Sequence, residues 1–151
     1  VEALDVSALE VGQAYLNLHH RMHRLVDQAM TSAGLSLARA KVLMRLDEGG
    51  SMNQATLAAL LGFAPRSVTD TVDALERDGL VIRTNDERDR RARIVAITPA
   101  GSQALAAALI VRGEAMDQVF GPLSAHERTT LISLLEKVRT NLPSGDTTCV
   151  Q

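Results

Sequence analysis

Two β-branched runs, "LVIRT" at residues 80–84 and "RIVAIT" at 93–98, enclose six consecutive charged side chains, "DERDRR" at 86–91. Each run has the length and composition of a strand, so the charged stretch between them reads as the tip of a hairpin. What precedes the hairpin narrows the fold further. Asn53 is placed to cap a short helix, "QATLAALLG", that stops near Gly62. Pro65 then suits the first turn of a second helix, where its missing N–H costs nothing. Val68, Val72 and Leu75 supply the buried stripe of that helix, and Gly79 its stop. Two short helices joined by a tight turn form a helix-turn-helix. A hairpin directly after it makes a winged helix, and "DERDRR" is the tip of the wing.

The flanks are helical. Residues 8–31 carry Leu18, Met22, Leu25 and Val26 at helical spacing, and Gly34 follows as a stop. Ser36 is a candidate N-cap for "LARAKVLMRLDE", which ends at Gly49-Gly50. Thr98 with Pro99 opens a long helix that Gly121-Pro122 breaks. Ser124 and Glu127 fit a capping box for a last helix reaching about Leu142. The expected fold class is therefore mostly α (α+β): a winged helix-turn-helix with N- and C-terminal helices forming a dimerisation layer. The division predicted is an N-terminal helix at 1–35, a DNA-binding domain at 36–98, C-terminal helices at 99–142 and a flexible tail at 143–151. The outer helices hold more apolar side chains than so small a domain can cover, which predicts a homodimer.

Whole-chain charge does not favour nucleic acid: the net charge is −2 and the pI about 6.1. Any positive charge that grips DNA must be placed locally. Aromatic residues are limited to Tyr15, Phe63 and Phe120, which disfavours a base-stacking platform for single strands. The lone cysteine, Cys149, excludes an internal disulfide. No apolar run approaches the roughly 18 to 20 residues that span a bilayer, and the first residues lack a basic and apolar leader pattern. The expected location is cytoplasmic, with no membrane partner. No HExxH, GxSxG, P-loop or Gly-rich fingerprint is present, so no enzyme and no cofactor is expected.

The stretches "PRSVTDTVDALERDGLVIR" and "DRRARIVAITPAG" resemble the multiple antibiotic resistance regulator (MarR) family of bacterial transcription factors. The second is similar to that family's wing signature through Asp89, Arg91, Ile97, Thr98 and Gly101. The resemblance runs over about residues 8–142. It implies an obligate homodimer on a pseudo-palindromic operator, usually a repressor, released by a small ligand or an oxidant. It departs from many relatives at Asp70, where they place a basic residue.

Candidate DNA contacts follow from the two elements. The recognition helix, 65–78, would present Arg66, Ser67, Thr69, Asp70 and Thr71 to the major groove. Arg66 can pair with guanine or phosphate, and Asp70 can accept from a cytosine amino group or simply favour the helix N-terminus. The wing, 84–93, would offer Arg88, Asp89, Arg90 and Arg91, with Arg91 the residue that the resemblance favours for minor-groove insertion. Carboxylates could pre-aim the guanidiniums, Asp89 acting on Arg91 and Asp86 on Arg88. Residues 83–93 hold five arginines against three acids, but 66–93 hold seven against seven, so placement must achieve what bulk charge cannot.

Tyr15, His19 and His23 recur every four residues and line one face of the first helix. They are candidates for the rim of an effector pocket, open to an aromatic or anionic small molecule. Two histidines at this spacing make half a metal site, so no metal is assigned, and an ordinary interface ridge fits them as well. Two alternatives stay open: a winged helix used for protein contacts, and a histidine-based metal sensor. The polar face of the recognition helix favours DNA over the first.

Overall fold

The computed structural model describes residues 5–89 and 92–143. Six helices and three short strands follow in the order α1 (Ala8–Ser32), α2 (Leu37–Gly49), β1 (Met52–Asn53), α3 (Gln54–Leu61), α4 (Pro65–Arg77), β2 (Val81–Asn85), β3 (Arg93–Ile97), α5 (Pro99–Phe120) and α6 (Ala125–Thr140).

Each boundary has a local cause. Ser36, Asn53, Thr98 and Ser124 all sit at N-cap positions in extended conformation, and their side chains accept a backbone N–H from the first turn. Ser7 does the same for α1 through a capping box with Glu10. Proline occupies the first position of both α4 and α5. Gly62 closes α3 in the left-handed region, at φ 63°, which a side chain would strain.

The sheet has the order β1-β3-β2 and is antiparallel throughout. Val81 lies opposite Ile97, and Arg83 opposite Val95. The sequence reading missed β1, whose two residues pair with Val95 and Ile94. Asn53 serves twice, closing β1 and capping α3 by accepting the Thr56 N–H at 2.8 Å.

The core is aliphatic and central. Val42, Leu43 and Leu46 of α2, Leu57 and Leu61 of α3, and Val68, Val72 and Leu75 of α4 meet Val81 and Val95 of the sheet, all buried. Val26 and Met30 extend it into α1, and Leu105 and Ala108 into α5. Each fully buried Leu or Val side chain contributes roughly 1.5–3 kcal/mol relative to exposure. Two polar side chains, Asp27 and Arg39, fasten the helices from outside this core. The Asp27 carboxylate of α1 accepts the Leu37 N–H at the start of α2, at 3.0 Å. Arg39 of α2 pairs with Asp78 at the far end of α4 and also reaches the Ala74 carbonyl.

The outer helices are less covered. α6 buries no residue within the chain, and Ile132, Leu134, Leu135 and Val138 along it are exposed. Leu9, Val11 and Leu16 of α1 and Leu109 and Ile110 of α5 are exposed as well.

Candidate nucleic-acid interface and effector cavity

Helix α4 turns its buried stripe, Val68, Val72 and Leu75, into the core. At 100° per residue the opposite stripe is Arg66, Asp70, Asp73 and Arg77, all exposed. Ser67 and Thr69 flank it and are exposed too. Thr71 is turned toward the core side, half-buried, and its hydroxyl donates to the Ser67 carbonyl at 2.7 Å. Of the five recognition-helix candidates, Arg66 and Asp70 thus face outward, Ser67 and Thr69 stand at the edges, and Thr71 is withdrawn.

The wing begins with an arginine that does not face outward. The Arg83 side chain on β2 is 10% exposed. Its guanidinium donates to Asp73 and Glu76 of α4, and through Nε and Nη2 to Gln54 Oε1 of α3 at 3.2 and 3.1 Å. Burial alone would lower its pKa. The hydrogen bonds and charges of Asp73 and Glu76 overcome that and hold it above the ordinary arginine value. The residue counted among the wing cations therefore ties the wing's root to both helices of the helix-turn-helix.

This pairing changes the charge balance of the face. Arg83 is shared by Asp73 and Glu76 and offsets one of their two charges, and Arg39 offsets Asp78. Arg66, Arg77, Arg88 and Arg93 form no ion pair among the described residues. Arg39 and Arg83 thus offset two of the three charges on Asp73, Glu76 and Asp78, while four arginines stay open to an anionic partner.

At the tip, the Asp86 N–H donates to the Ala92 carbonyl at 3.0 Å, and the Ala92 N–H to the Asp89 carbonyl at 2.9 Å. The Asp86 carboxylate accepts the backbone N–H of Arg88 at 2.9 Å. The contact differs from the expected one: Asp86 shapes the turn through the main chain of Arg88 instead of orienting its guanidinium. An Asx-type turn is local and entropically cheap, whereas holding a long side chain costs rotamer freedom. Arg90 and Arg91, and with them the pairing of Asp89 with Arg91, lie outside the described residues.

A second feature lies between α1, α2 and α5. A cavity of about 150 Å³ is lined by His19, Met22, His23, Val26, Leu37, Lys41, Met44, Arg112 and Met116. His19 and His23 are exposed at its edge, while Lys41 and Arg112 are half-buried. Tyr15 does not line it; its ring stacks on His19 one turn away, with centroids 6.0 Å apart. The wall is otherwise aliphatic and thioether, and no carboxylate lines it. Such a site suits a small molecule with an apolar body and a negative end. Lys41 and Arg112 were not legible as a pair, because 70 residues and three strands separate them in the chain. No group of three or more His, Cys, Asp or Glu that could hold a metal occurs among the described residues.

A helix-turn-helix whose second helix shows a polar face, followed by a hairpin, is the architecture of winged-helix transcription regulators. Residues 35–92 match the MarR family. Over those residues the chain is similar to that family, and the curated relatives it matches are named as transcriptional regulators. It is 24% identical over 143 residues to the HTH-type transcriptional regulator YwaE of Bacillus subtilis, covering 94% of this chain and 84% of that protein. Several other curated relatives are matched over only 51–66% of their own length. Among solved structures, apo MarR of Escherichia coli superposes with a TM-score of 0.79 at 24% identity, over 92% of this chain and 99% of that one. The organohalide-sensing regulator RdhR, in its 2,4-dichlorophenol-bound form, gives 0.70 at 23% identity over 93% and 88%. The mostly helical chain with a small antiparallel sheet is the fold these structures share. No helix among the described residues is long and apolar enough to cross a membrane.

Proposed function

We propose that this regulator works as a homodimer on a pseudo-palindromic double-stranded operator, usually to repress. Helix α4 enters the major groove and the wing, 84–93, the adjacent minor groove. The observation that carries this reading is the outward face of α4, where Arg66 and Arg77 form no ion pair among the described residues while Asp73 and Glu76 share Arg83 behind it. The exposed apolar stripes of α1, α5 and α6 support a second copy as the partner that covers them. The middle of the chain, 36–98, is the DNA-binding unit, and 1–35 and 99–142 are the dimerising parts. A chain of this kind acts in the cytoplasm.

Selection of bound DNA from a random pool tests the reading. The expected product is an inverted repeat with half-site centres about 34–36 Å apart, one helical turn. Arg91→Ala should weaken operator binding about tenfold, through loss of a charged minor-groove contact, while the dimer's unfolding midpoint stays in place. Equal affinity of the variant and the wild type at physiological salt would remove Arg91 from the interface.

The cavity between α1, α2 and α5 is the effector site in this proposal, with Lys41 and Arg112 meeting the negative end and His19 and His23 at the mouth. The 2,4-dichlorophenol held by RdhR is an aromatic molecule of comparable size. Benzoate is a suitable probe. The double variant Lys41→Met, Arg112→Met should raise the benzoate concentration needed for half-release of DNA about tenfold or more, the worth of a charge-assisted bond. Unchanged release would place the effector elsewhere.

A further inference from the structure

Thr69 of the recognition helix sits at the end of a chain of hydrogen bonds that starts inside the wing. A guanidinium can only donate, so the Gln54 amide atom facing Arg83 Nε and Nη2 is the oxygen. The Gln54 nitrogen is then forced toward Thr69 and donates to its Oγ at 2.9 Å. An amide nitrogen has no lone pair to offer. Hence the Thr69 hydroxyl accepts from Gln54 and must send its own hydrogen elsewhere. The Pro65 carbonyl, which can only accept, lies 3.1 Å away and takes it. One lone pair of Thr69 Oγ is left, and the side chain is exposed.

We infer that the Arg83–Gln54–Thr69 relay fixes Thr69 as a hydrogen-bond acceptor and so makes it a specificity-determining residue for an amino-bearing base, adenine or cytosine. The inference rests on the proposed entry of α4 into the major groove. A threonine free to rotate its hydroxyl can donate to guanine O6 or thymine O4 as readily as it accepts. With its hydrogen committed, Thr69 meets those carbonyl oxygens lone pair to lone pair, which is repulsive. Adenine N6 and cytosine N4 each present a donor in the major groove. The surroundings sharpen the choice. Thr69 lines a cavity of about 430 Å³ with Gln54, Ala55, Ala58, Ala59, Phe63 and Pro65. Of these side chains only Gln54 and Thr69 are polar. The C5-methyl of the thymine paired with adenine packs favourably on alanine methyls, whereas the O6 and N7 of the guanine paired with cytosine would be left unsatisfied there. Adenine is therefore the base favoured.

Base selection from a random duplex pool, run at low salt with the full-length protein, Thr69→Val and Gln54→Leu, tests the relay. The wild type should enrich adenine at one symmetric pair of positions. Thr69→Val, which keeps the shape and removes the lone pair, should flatten that preference about two- to tenfold, the worth of one net hydrogen bond. Gln54→Leu should flatten the same position with Thr69 intact, because the hydroxyl regains its freedom; a purely structural role for Gln54 would weaken all sequences alike. Replacing the enriched adenine by deoxynebularine, which lacks the amino group, should weaken the wild type and leave Thr69→Val indifferent. Enrichment of thymine or guanine at the Thr69-sensitive position overturns the inference. A preference that survives in Thr69→Val or in Gln54→Leu overturns it too. A wild-type protein that retains no DNA from the pool defeats the reading of α4 as a major-groove element, a result distinct from selection with the wrong base.

Discussion

Arg83→Ala should lower the unfolding free energy by about 1–3 kcal/mol, between the values for exposed and buried ion pairs, and reduce DNA affinity about tenfold or more. The guanidinium is nearly enclosed, while Asp73 and Glu76 are about half exposed, at 50% and 41%. Water can therefore screen the acids, and the full penalty of an orphaned buried charge does not apply. The larger effect should fall on binding. Without Arg83, two uncompensated carboxylates stand on the flank of the helix that approaches phosphates, and the root of β2 loses its tie to α3 and α4. Arg83→Lys separates the two contributions. It keeps the charge but cannot serve three acceptors in a planar fork, so affinity should return by the share owed to charge, and what is still missing is the share of the tie. Denaturant titration and operator binding on the same preparations give both numbers. An unchanged midpoint in Arg83→Ala would reduce this cluster to an ordinary surface ion pair.

Gly101→Ala should destabilise by about 3 kcal/mol, near the upper end for overpacking a close contact. A Cβ at that position would stand 2.1 Å from the Leu80 carbonyl oxygen and 2.8 Å from Ile97 Cγ1. The first of these is backbone and cannot swing aside. The start of α5 would have to retreat from the sheet, which strains the Thr98 N–H bond to Leu80 at 3.0 Å and the Thr98 hydroxyl bond to Gly79 at 2.7 Å. Gly113, in the same helix, has open space within 4 Å of where a Cβ would stand. Gly113→Ala should therefore move the midpoint the other way, by up to about 1 kcal/mol of helix propensity. Equal and small shifts for the two variants would mean that α5 does not press on the wing's base.

Most of the fold was readable because its signals are local. Caps at Ser36, Asn53, Thr98 and Ser124, prolines at 65 and 99, and the stripe Val68, Val72, Leu75 each act within four residues of themselves. β1 was not readable, since two residues carry no period and its partner β3 lies about forty positions away. The site was legible only in part. The sequence marks which residues are polar on α4 but not that Thr71 is half-buried. It marks Arg83 as a charge but not as an inward one, because Gln54 lies 29 residues off. Lys41 and Arg112 belong to different helices, and only packing brings them to one cavity with His19 and His23. A carboxylate pair at Asp73 and Glu76, with an arginine seven residues beyond the second, was the one available hint that this arginine turns back toward the helix.

The Asp27 bond to the Leu37 amide and the Arg39 grip on Asp78 act in series. Helix α2 is moored at its first turn to α1, and two residues later to the rear of α4. The two bonds therefore join α1, α2 and α4 in one line. A guest molecule wedged beside His23 would press on the helix from which that line starts, and because Val26 and Met30 share the core with Val68 and Leu75, the aliphatic interior would have to move with it.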